Sequence, residues 1–102
     1  MRGVNTVVLT GEVGSMHGGK IAATDESACS FTLGIAKDGG YKTWVRVNVY
    51  GRHVEYCQTR LQQGSRVLVQ GELMNRRPKA VGSGELSLTE VRCFDVTKIS
   101  ET

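Results

Sequence analysis

The chain has 102 residues and a formal net charge of +3, with a sequence pI of about 8.9. This length suits one domain with a single modest core, so residues 1–102 are expected to form one unit. The mild basicity favours a polyanionic partner. No apolar run approaches membrane-spanning length, and the N-terminal alternation lacks the apolar block of a signal peptide. We therefore expect a cytoplasmic, nucleoid-associated protein with no membrane partner.

The cysteines and histidines give little sign of a reactive site. Cys29, Cys57 and Cys93 are odd in number and far apart, and neither His17 nor His53 completes a metal-ligand spacing. We expect the cysteines to be reduced and packed as small hydrophobic residues. The chain shows no nucleophile–base pair, carboxylate dyad or Walker loop. The sequence therefore predicts no metal, no cofactor and no enzyme.

The first half of the chain predicts three strands. Alternating residues indicate a first strand over residues 5–13, and residues 14–20 are glycine-rich and predict a flexible loop. A second strand is expected over residues 28–37 and a third over residues 41–50. Between them, Asp38-Gly39-Gly40 is typical of a hairpin, because glycine adopts positive φ without steric cost.

A short helix is expected after the third strand. Between residues 51 and 64, Val54, Cys57 and Leu61 fall at helical spacing. Gly64 is placed to cap its C-terminus. Such a short helix is stable only when it docks on the rest of the domain.

Two further strands complete the chain. The fourth is expected over residues 65–74, with Gly71 marking a bend or bulge. A basic loop follows over residues 75–84, and the fifth strand runs over residues 85–99. The phase of its apolar residues shifts, which predicts a bulge or break near residues 89–90. Three strands, a helix and two strands indicate an all-β, five-stranded OB-fold Greek-key barrel, a fold that often binds oligonucleotides on one curved face.

The central part of the chain resembles the bacterial single-stranded DNA-binding protein (SSB) family. The resemblance runs without a gap over residues 44–77, from a tryptophan that opens a strand to a pair of arginines after the next one. It rests on Trp44, Tyr50-Gly51, Val54-Glu55, the Leu61–Gly64 segment, the Val67–Leu73 segment and Arg76-Arg77. Residues 4–14, 31–33 and 88–91 are similar to the first, second and last strands of the family.

The chain also departs from the family pattern. The hairpin at residues 38–41 lacks the second stacking tryptophan of many members, and Pro78 stands where another aromatic residue is common. The acidic tail of the family is not found before Thr102. Three interpretations therefore stay open: a shortened housekeeping protein, a tail-less paralogue, or a PriB-type primosomal protein.

The resemblance implies sequence-independent binding of single-stranded DNA in DNA replication, recombination and repair. It implies a homotetramer built partly through the first strands, with a dimer as the alternative, and replication or repair proteins as further partners. One alternative function is a PriB-type adaptor in replication restart. Another is an OB module that serves protein contacts only.

The third strand supplies the candidate binding face. Val45, Val47 and Val49 share one side and are expected to face the core. The other side carries aromatic rings that can stack on bases and polar groups that can follow phosphates, namely Trp44, Arg46, Asn48 and Tyr50. Residues expected to extend this surface are Arg52, Lys37, Tyr41, Lys42, Arg76, Arg77 and Lys79.

Each candidate has a plainer interpretation. Arg46 could instead pair with Glu72 across the sheet, and the Arg76 cluster could be a solvated loop. Lys37 and Lys42 are equally consistent with solvent. Residues read as ordinary surface are Arg66 and Arg92, while Phe94 could be core or a third stacking ring.

Overall fold

The structure is a computed structural model that describes residues 3–21, 26–76 and 88–99. Its elements in chain order are β1 (Val7–Ile21), β2 (Glu26–Ala36), β3 (Lys42–Tyr50), α1 (His53–Arg60), β4 (Arg66–Arg76) and β5 (Leu88–Lys98). The strands form a closed barrel in the order β1-β2-β3-β5-β4. The prediction of an all-β, five-stranded barrel with one short helix between the third and fourth strands is confirmed.

The barrel is antiparallel except where it closes. β3 and β5 run parallel and pair at only two positions, Val47 with Val91 and Asn48 with Arg92. β1 serves two neighbours, because Val7 to Glu12 pair with β4 and Glu12 onward pairs with β2. The first strand therefore bends from one side of the barrel to the other.

β1 is longer than the sequence predicts. The expected loop over residues 14–20 is wrong, because β1 continues to Ile21 and pairs with β2 as far as Glu26. The register shifts between Val13 and Met16. The segment lacks the alternation of a strand, and its extended form comes from a partner strand, which local propensity does not reveal.

The irregularity in β5 lies further along the strand than predicted. The register of β4 and β5 shifts between Gln70 and Gly71, which pair with Asp95 and Cys93, so Phe94 is the extra residue. The bulge predicted near residues 89–90 is wrong, since pairing there is continuous. The prediction of a bend or bulge at Gly71 is confirmed, and a Cβ at Gly71 would collide with the carbonyl oxygen of Arg92.

α1 closes one end of the barrel. It buries Val54 and Cys57, and Leu61 follows it as a buried residue. The predicted role of Gly64 as its cap is wrong, because the helix ends at Arg60 and Leu61 is already extended. Gly64 lies in the following turn, where its N–H donates to the carbonyl oxygen of Val13. With 8 residues, α1 is too short to cross a membrane, and the described residues contain no other helix.

The core is built from the inner faces of the strands. Val47 and Val49 are fully buried, as predicted, while Val45 near the barrel end is half-buried. The three cysteines are free and buried, which confirms that they pack as small hydrophobic residues. Burial raises the pKa of Cys93 to about 11, and a hydrogen bond to Cys29 together with burial raises the pKa of the Cys57 thiol. Cys57 and Cys93 are therefore neutral at physiological pH.

Candidate functional site

The outer face of β3 is defined here by Trp44, Arg46, Asn48 and Tyr50. The neighbouring residues on β2 are small, because Gly34 pairs with Trp44, Thr32 with Arg46, Ser30 with Asn48 and Ala28 with Tyr50. On the other side, Arg92 of β5 pairs with Asn48. The large side chains of β3 therefore project further from the sheet than the small side chains of β2 beside them.

Trp44 lies on a glycine bed, formed by Gly14 of β1 and Gly34 of β2. A Cβ built on Gly34 would stand 2.9 Å from two atoms of the indole, and one on Gly14 would stand 2.8 Å from it. Real Cβ atoms do not come this close, so the ring holds this position only because both residues lack a side chain. Trp44 still keeps 56% of its surface exposed. The result is a large aromatic ring held against backbone and open to solvent.

Lys42 lies beside the same ring. Its Nζ is 5.7 Å from the Trp44 ring centroid and 3.5 Å from Oε2 of Glu12. An exposed ion pair of this kind contributes only about 0.2–1 kcal/mol, so an arriving phosphate can replace Glu12 as the partner of Lys42. The predicted candidates Lys42 and Trp44 are thus brought together by the structure, and Glu12 is a member of the group that the sequence did not indicate.

The Arg46 side chain is held by one hydrogen bond but remains exposed to solvent. Its Nη2 donates to Oγ of Ser30 at 3.1 Å, while the residue as a whole is exposed. No ion pair between Arg46 and Glu72 forms in the structure, since the sole ion pair among the described residues joins Lys42 to Glu12. The other N–H donors of the guanidinium therefore remain available to an anion.

Asn48 differs from the other residues of the outer face because it is buried. It is 8% exposed, and its Nδ2 donates to Oε1 of Glu90 at 2.7 Å; Glu90 itself is 3% exposed. Asn48 is covered because β5 brings Glu90 against it and β4 brings the sulfur of Met74 to 3.9 Å. Its hydrogen bond ties β3 to β5, so Asn48 offers little surface to a ligand, contrary to the sequence-based expectation.

Tyr50 is half-buried and has a cationic neighbour. The Cζ atom of Arg92 lies 5.5 Å from the centroid of the Tyr50 ring. Arg92 was expected to be an ordinary surface residue; it is exposed, and it also lies against Tyr50 because β5 runs directly beside β3 at this level. Nothing in the local sequence signals the contact, which joins residues that are 42 positions apart.

The remaining described candidates lie at the two ends of β3. Tyr41, 76% exposed, and Lys37 belong to the β2–β3 hairpin, where the N–H of Lys37 donates to the carbonyl oxygen of Tyr41. Gly39 and Gly40 have φ of 89° and 88°, which confirms the predicted hairpin. At the other end, the exposed Arg52 is the N-cap residue of α1.

The basic cluster after β4 is described only in part. Arg76 ends β4, and its backbone alone is described. The predicted candidates Arg77 and Lys79 lie outside the described residues. Within the described ranges, no group of three or more histidine, cysteine or acidic residues is arranged to hold a metal ion. The described site is therefore a surface of rings, guanidinium groups and ammonium groups.

Comparison with known proteins adds a family and a fold. Residues 4–98 match the single-strand binding protein family. Single-stranded DNA-binding protein 1 of Chlorobaculum tepidum is 28% identical over 106 residues, which cover 93% of this chain and 64% of that protein. The chain thus spans less than two thirds of the length of this relative.

Two solved structures share the fold. A Plasmodium falciparum SSB in complex with single-stranded DNA superposes with a TM-score of 0.84 at 22% identity, covering 98% of each chain. The dimeric N-terminal domain of PriB from Thermoanaerobacter tencongensis superposes with a TM-score of 0.71 at 21% identity, covering 95% of this chain and 98% of that chain. At these identities the likeness concerns the path of the backbone.

Proposed function

The chain belongs to the single-strand binding protein family, and we propose that it binds single-stranded DNA without sequence preference on the outer face of β3. The observation that carries this proposal is the Trp44 ring, exposed on its glycine bed with Lys42 beside it. The same surface offers no described cluster of reactive groups, so the proposed activity is binding without chemistry. The proposed setting is DNA replication, recombination and repair.

Unpaired bases and phosphates match the two kinds of group on this surface. Aromatic rings stack on any base, and each stack contributes roughly 1–3 kcal/mol. Lys42 and Arg46 are placed to neutralise phosphates on either side of a base on Trp44, and Arg52 lies beyond Tyr50. The proposed path of the strand therefore follows β3 from the β2–β3 hairpin toward α1. Lys37 and Tyr41 would meet it at the hairpin, and Arg76, Arg77 and Lys79 are proposed as additional phosphate contacts.

We also propose that the protein is a homo-oligomer, a tetramer or alternatively a dimer. Val7 to Thr10 pair with β4 on one edge, and β2 pairs with β1 only from Glu12 onward. The outward side chain of Val8 in this segment is 58% exposed. An apolar strand with an open edge favours pairing with a second copy. Light scattering at micromolar concentration should report an oligomer, and a monomer would contradict this part of the proposal.

Titration with an oligo-dT strand tests the proposed binding. Trp44 is the single tryptophan of the chain, so its fluorescence reports directly on the outer face and should be quenched when a base stacks on it. Log affinity should fall linearly with log salt, with a slope of about −0.7 for each phosphate that is neutralised. A duplex of the same length is the control, since its bases are already stacked. Absence of quenching with the single strand, or affinity that does not change with salt, would contradict the proposal.

A further inference from the structure

A cleft at the α1 end of the barrel lies apart from the outer face of β3. It has a volume of about 230 Å³ and opens between the second half of β1 and α1. His17 and Gln58 are exposed at its rim, whereas Cys29 is buried at its floor. The residues that line it are Met16, His17, Gly18, Cys29, Gln58 and Leu61. None of them lies on the proposed DNA path, so the cleft is separate from the proposed binding surface.

Cys29 can be reached from the cleft because its neighbour across the sheet has no side chain. Gly18 of β1 pairs with Cys29 of β2, and the amide of Gln58 on α1 lies over the same position. A Cβ built on Gly18 would stand 2.9 Å from Nε2 of Gln58 and 3.9 Å from Cβ of Cys29, so it would occupy space between them. Cys29 keeps 6% of its surface exposed. The opening therefore admits molecules of the size of water or hydrogen peroxide to this thiol.

A second thiol lies against Cys29 inside the barrel. Cys57 of α1 is fully buried, and its S–H donates a hydrogen bond to the sulfur of Cys29. This hydrogen bond lowers the pKa of the Cys29 thiol in spite of its burial, and it raises the pKa of the Cys57 thiol. When the pair loses a proton, the negative charge therefore resides on Cys29, whose side chain lines the cleft. The thiolate is the nucleophilic form of cysteine.

Cys93 provides a comparison within the same core. It is also 6% exposed, so it is buried to the same extent as Cys29. It does not line the cleft, and burial raises the pKa of its thiol to about 11. Equal burial combined with different access and acidity predicts different reactivity. Cys93 is therefore an internal control for Cys29.

We propose that Cys29 is a modification site that is oxidised by small peroxides, and that Cys57 completes the reaction by forming a disulfide with it. The Cys29 sulfur attacks one oxygen of hydrogen peroxide as the thiolate. The O–O bond breaks, a sulfenic acid forms on Cys29 and hydroxide leaves. The Cys57 sulfur then attacks the Cys29 sulfur, so that the S–O bond breaks and the S–S bond forms.

The reaction balances without a further reactant. The hydroxyl group displaced from Cys29 leaves with the Cys57 proton as water, and the proton first lost by Cys29 converts the hydroxide to a second water. Two thiols are thus oxidised by two electrons, and one peroxide is reduced to two waters. The product ties α1 to β2 by a covalent bond. The inference does not depend on the proposed function, because the DNA path uses other residues.

Mass spectrometry of the unmodified chain tests this site. One equivalent of hydrogen peroxide should remove two hydrogen atoms from the mass of the folded protein, and dithiothreitol should restore them. When the remaining thiols are alkylated in denaturant and the protein is digested, Cys29 and Cys57 should be found joined and Cys93 alkylated. Cys29 should be oxidised roughly tenfold or more faster than Cys93, because a larger fraction of it is thiolate.

Three results of the same experiment would overturn the proposal. The first is oxidation of Cys29 and Cys93 at equal rates, which would show that the cleft gives no selective access. The second is a disulfide that joins two chains or includes Cys93. The third is a folded protein that does not react until denaturant is added, since Cys29 would then be closed to peroxide.

Two alanine variants separate the roles of the thiols. In Cys57→Ala the reaction should stop at the sulfenic acid, so the protein should gain one oxygen atom that maps to Cys29 and is removed by dithiothreitol. Cys93→Ala is the matched control, because it removes a thiol that is as buried as Cys29, and its disulfide should form at the rate of the unmodified protein. A Cys57→Ala protein that still loses two hydrogen atoms would refute the role of Cys57. Thermal melting shows whether each variant retains the fold, and the mapping of the unmodified chain decides the proposal if one does not.

Discussion

The two faces of β3 are made from alternating residues of one strand, yet they are held in place by different means. Val47 on the inner face is fully buried within a cluster that includes Phe31 and Val91. Trp44 on the outer face rests on backbone at Gly14 and Gly34 and keeps 56% of its surface exposed. The inner face therefore depends on side-chain packing, whereas the outer face depends on missing side chains. This difference makes stability and binding separable along the same strand.

The largest expected effect is on the inner face. Val47→Ala leaves a cavity in a fully buried position, and the free energy of unfolding should fall by about 2 kcal/mol, less than for a buried leucine. Affinity of the folded protein for oligo-dT should stay close to normal. Thermal or urea melting measures the first quantity and titration the second. Val4→Ala, at a position that is 93% exposed, is the control and should leave stability unchanged. Lost binding with unchanged stability would mean that the two faces are assigned the wrong way round.

The opposite pattern is expected for Trp44→Ala. Binding should weaken by roughly 1–3 kcal/mol, the contribution of one base stack. Stability should change little, because the ring contributes a largely exposed surface rather than core packing. The same melting and titration experiments apply, with anisotropy replacing fluorescence since the variant has no tryptophan. A protein that unfolds on this change would show that the ring is structural.

A smaller effect is expected from the glycine bed itself. In Gly34→Ala the new Cβ would stand 2.9 Å from the Trp44 ring, so the ring must lift, and we expect a loss of about 1 kcal/mol of binding out of the roughly 1–3 kcal/mol of one stack. The loss should vanish in a Trp44→Ala background, because the lifted ring is then absent. Gly3→Ala is the control, since a Cβ there would have no neighbour within 4 Å. An equal loss in both backgrounds would show that Gly34 acts through the barrel and not through Trp44.

The smallest effect is expected from Glu12, which holds Lys42 beside Trp44. Glu12→Gln removes one partner of an exposed ion pair, so affinity for oligo-dT should rise by about 0.2–1 kcal/mol at low salt. The salt dependence should steepen if the freed Lys42 then contacts a phosphate. Titration at two salt concentrations measures both effects. Weaker binding would show that Glu12 positions Lys42 usefully instead of competing for it.

The sequence predicts the fold and one side of the site well. Period-two alternation places Val47 inside and Trp44 outside, and two glycines mark the β2–β3 hairpin, because these features depend on neighbouring residues in the chain. The extension of β1 and the contact of Arg92 with Tyr50 depend on strands that are distant in sequence. The burial of Asn48 and Glu90 likewise depends on strands that are distant in sequence. Each looks polar and exposed by itself, and only the pairing of β3 with β5 buries them together.

The closure of the barrel has a consequence for its motions. β3 and β5 share only two paired positions, whereas β2 and β3 are paired all along β3, so the junction between β3 and β5 should open before the rest of the barrel. The Asn48–Glu90 side-chain hydrogen bond is an additional link between β3 and β5 at this junction. A strand of DNA on the proposed path along β3 would lie against this junction from outside. The backbone amide hydrogens of Val47 and Val91 should then exchange with solvent more slowly in the complex than in the free protein. DNA binding would thus reduce the motion of the barrel at the junction where the fewest residues are paired.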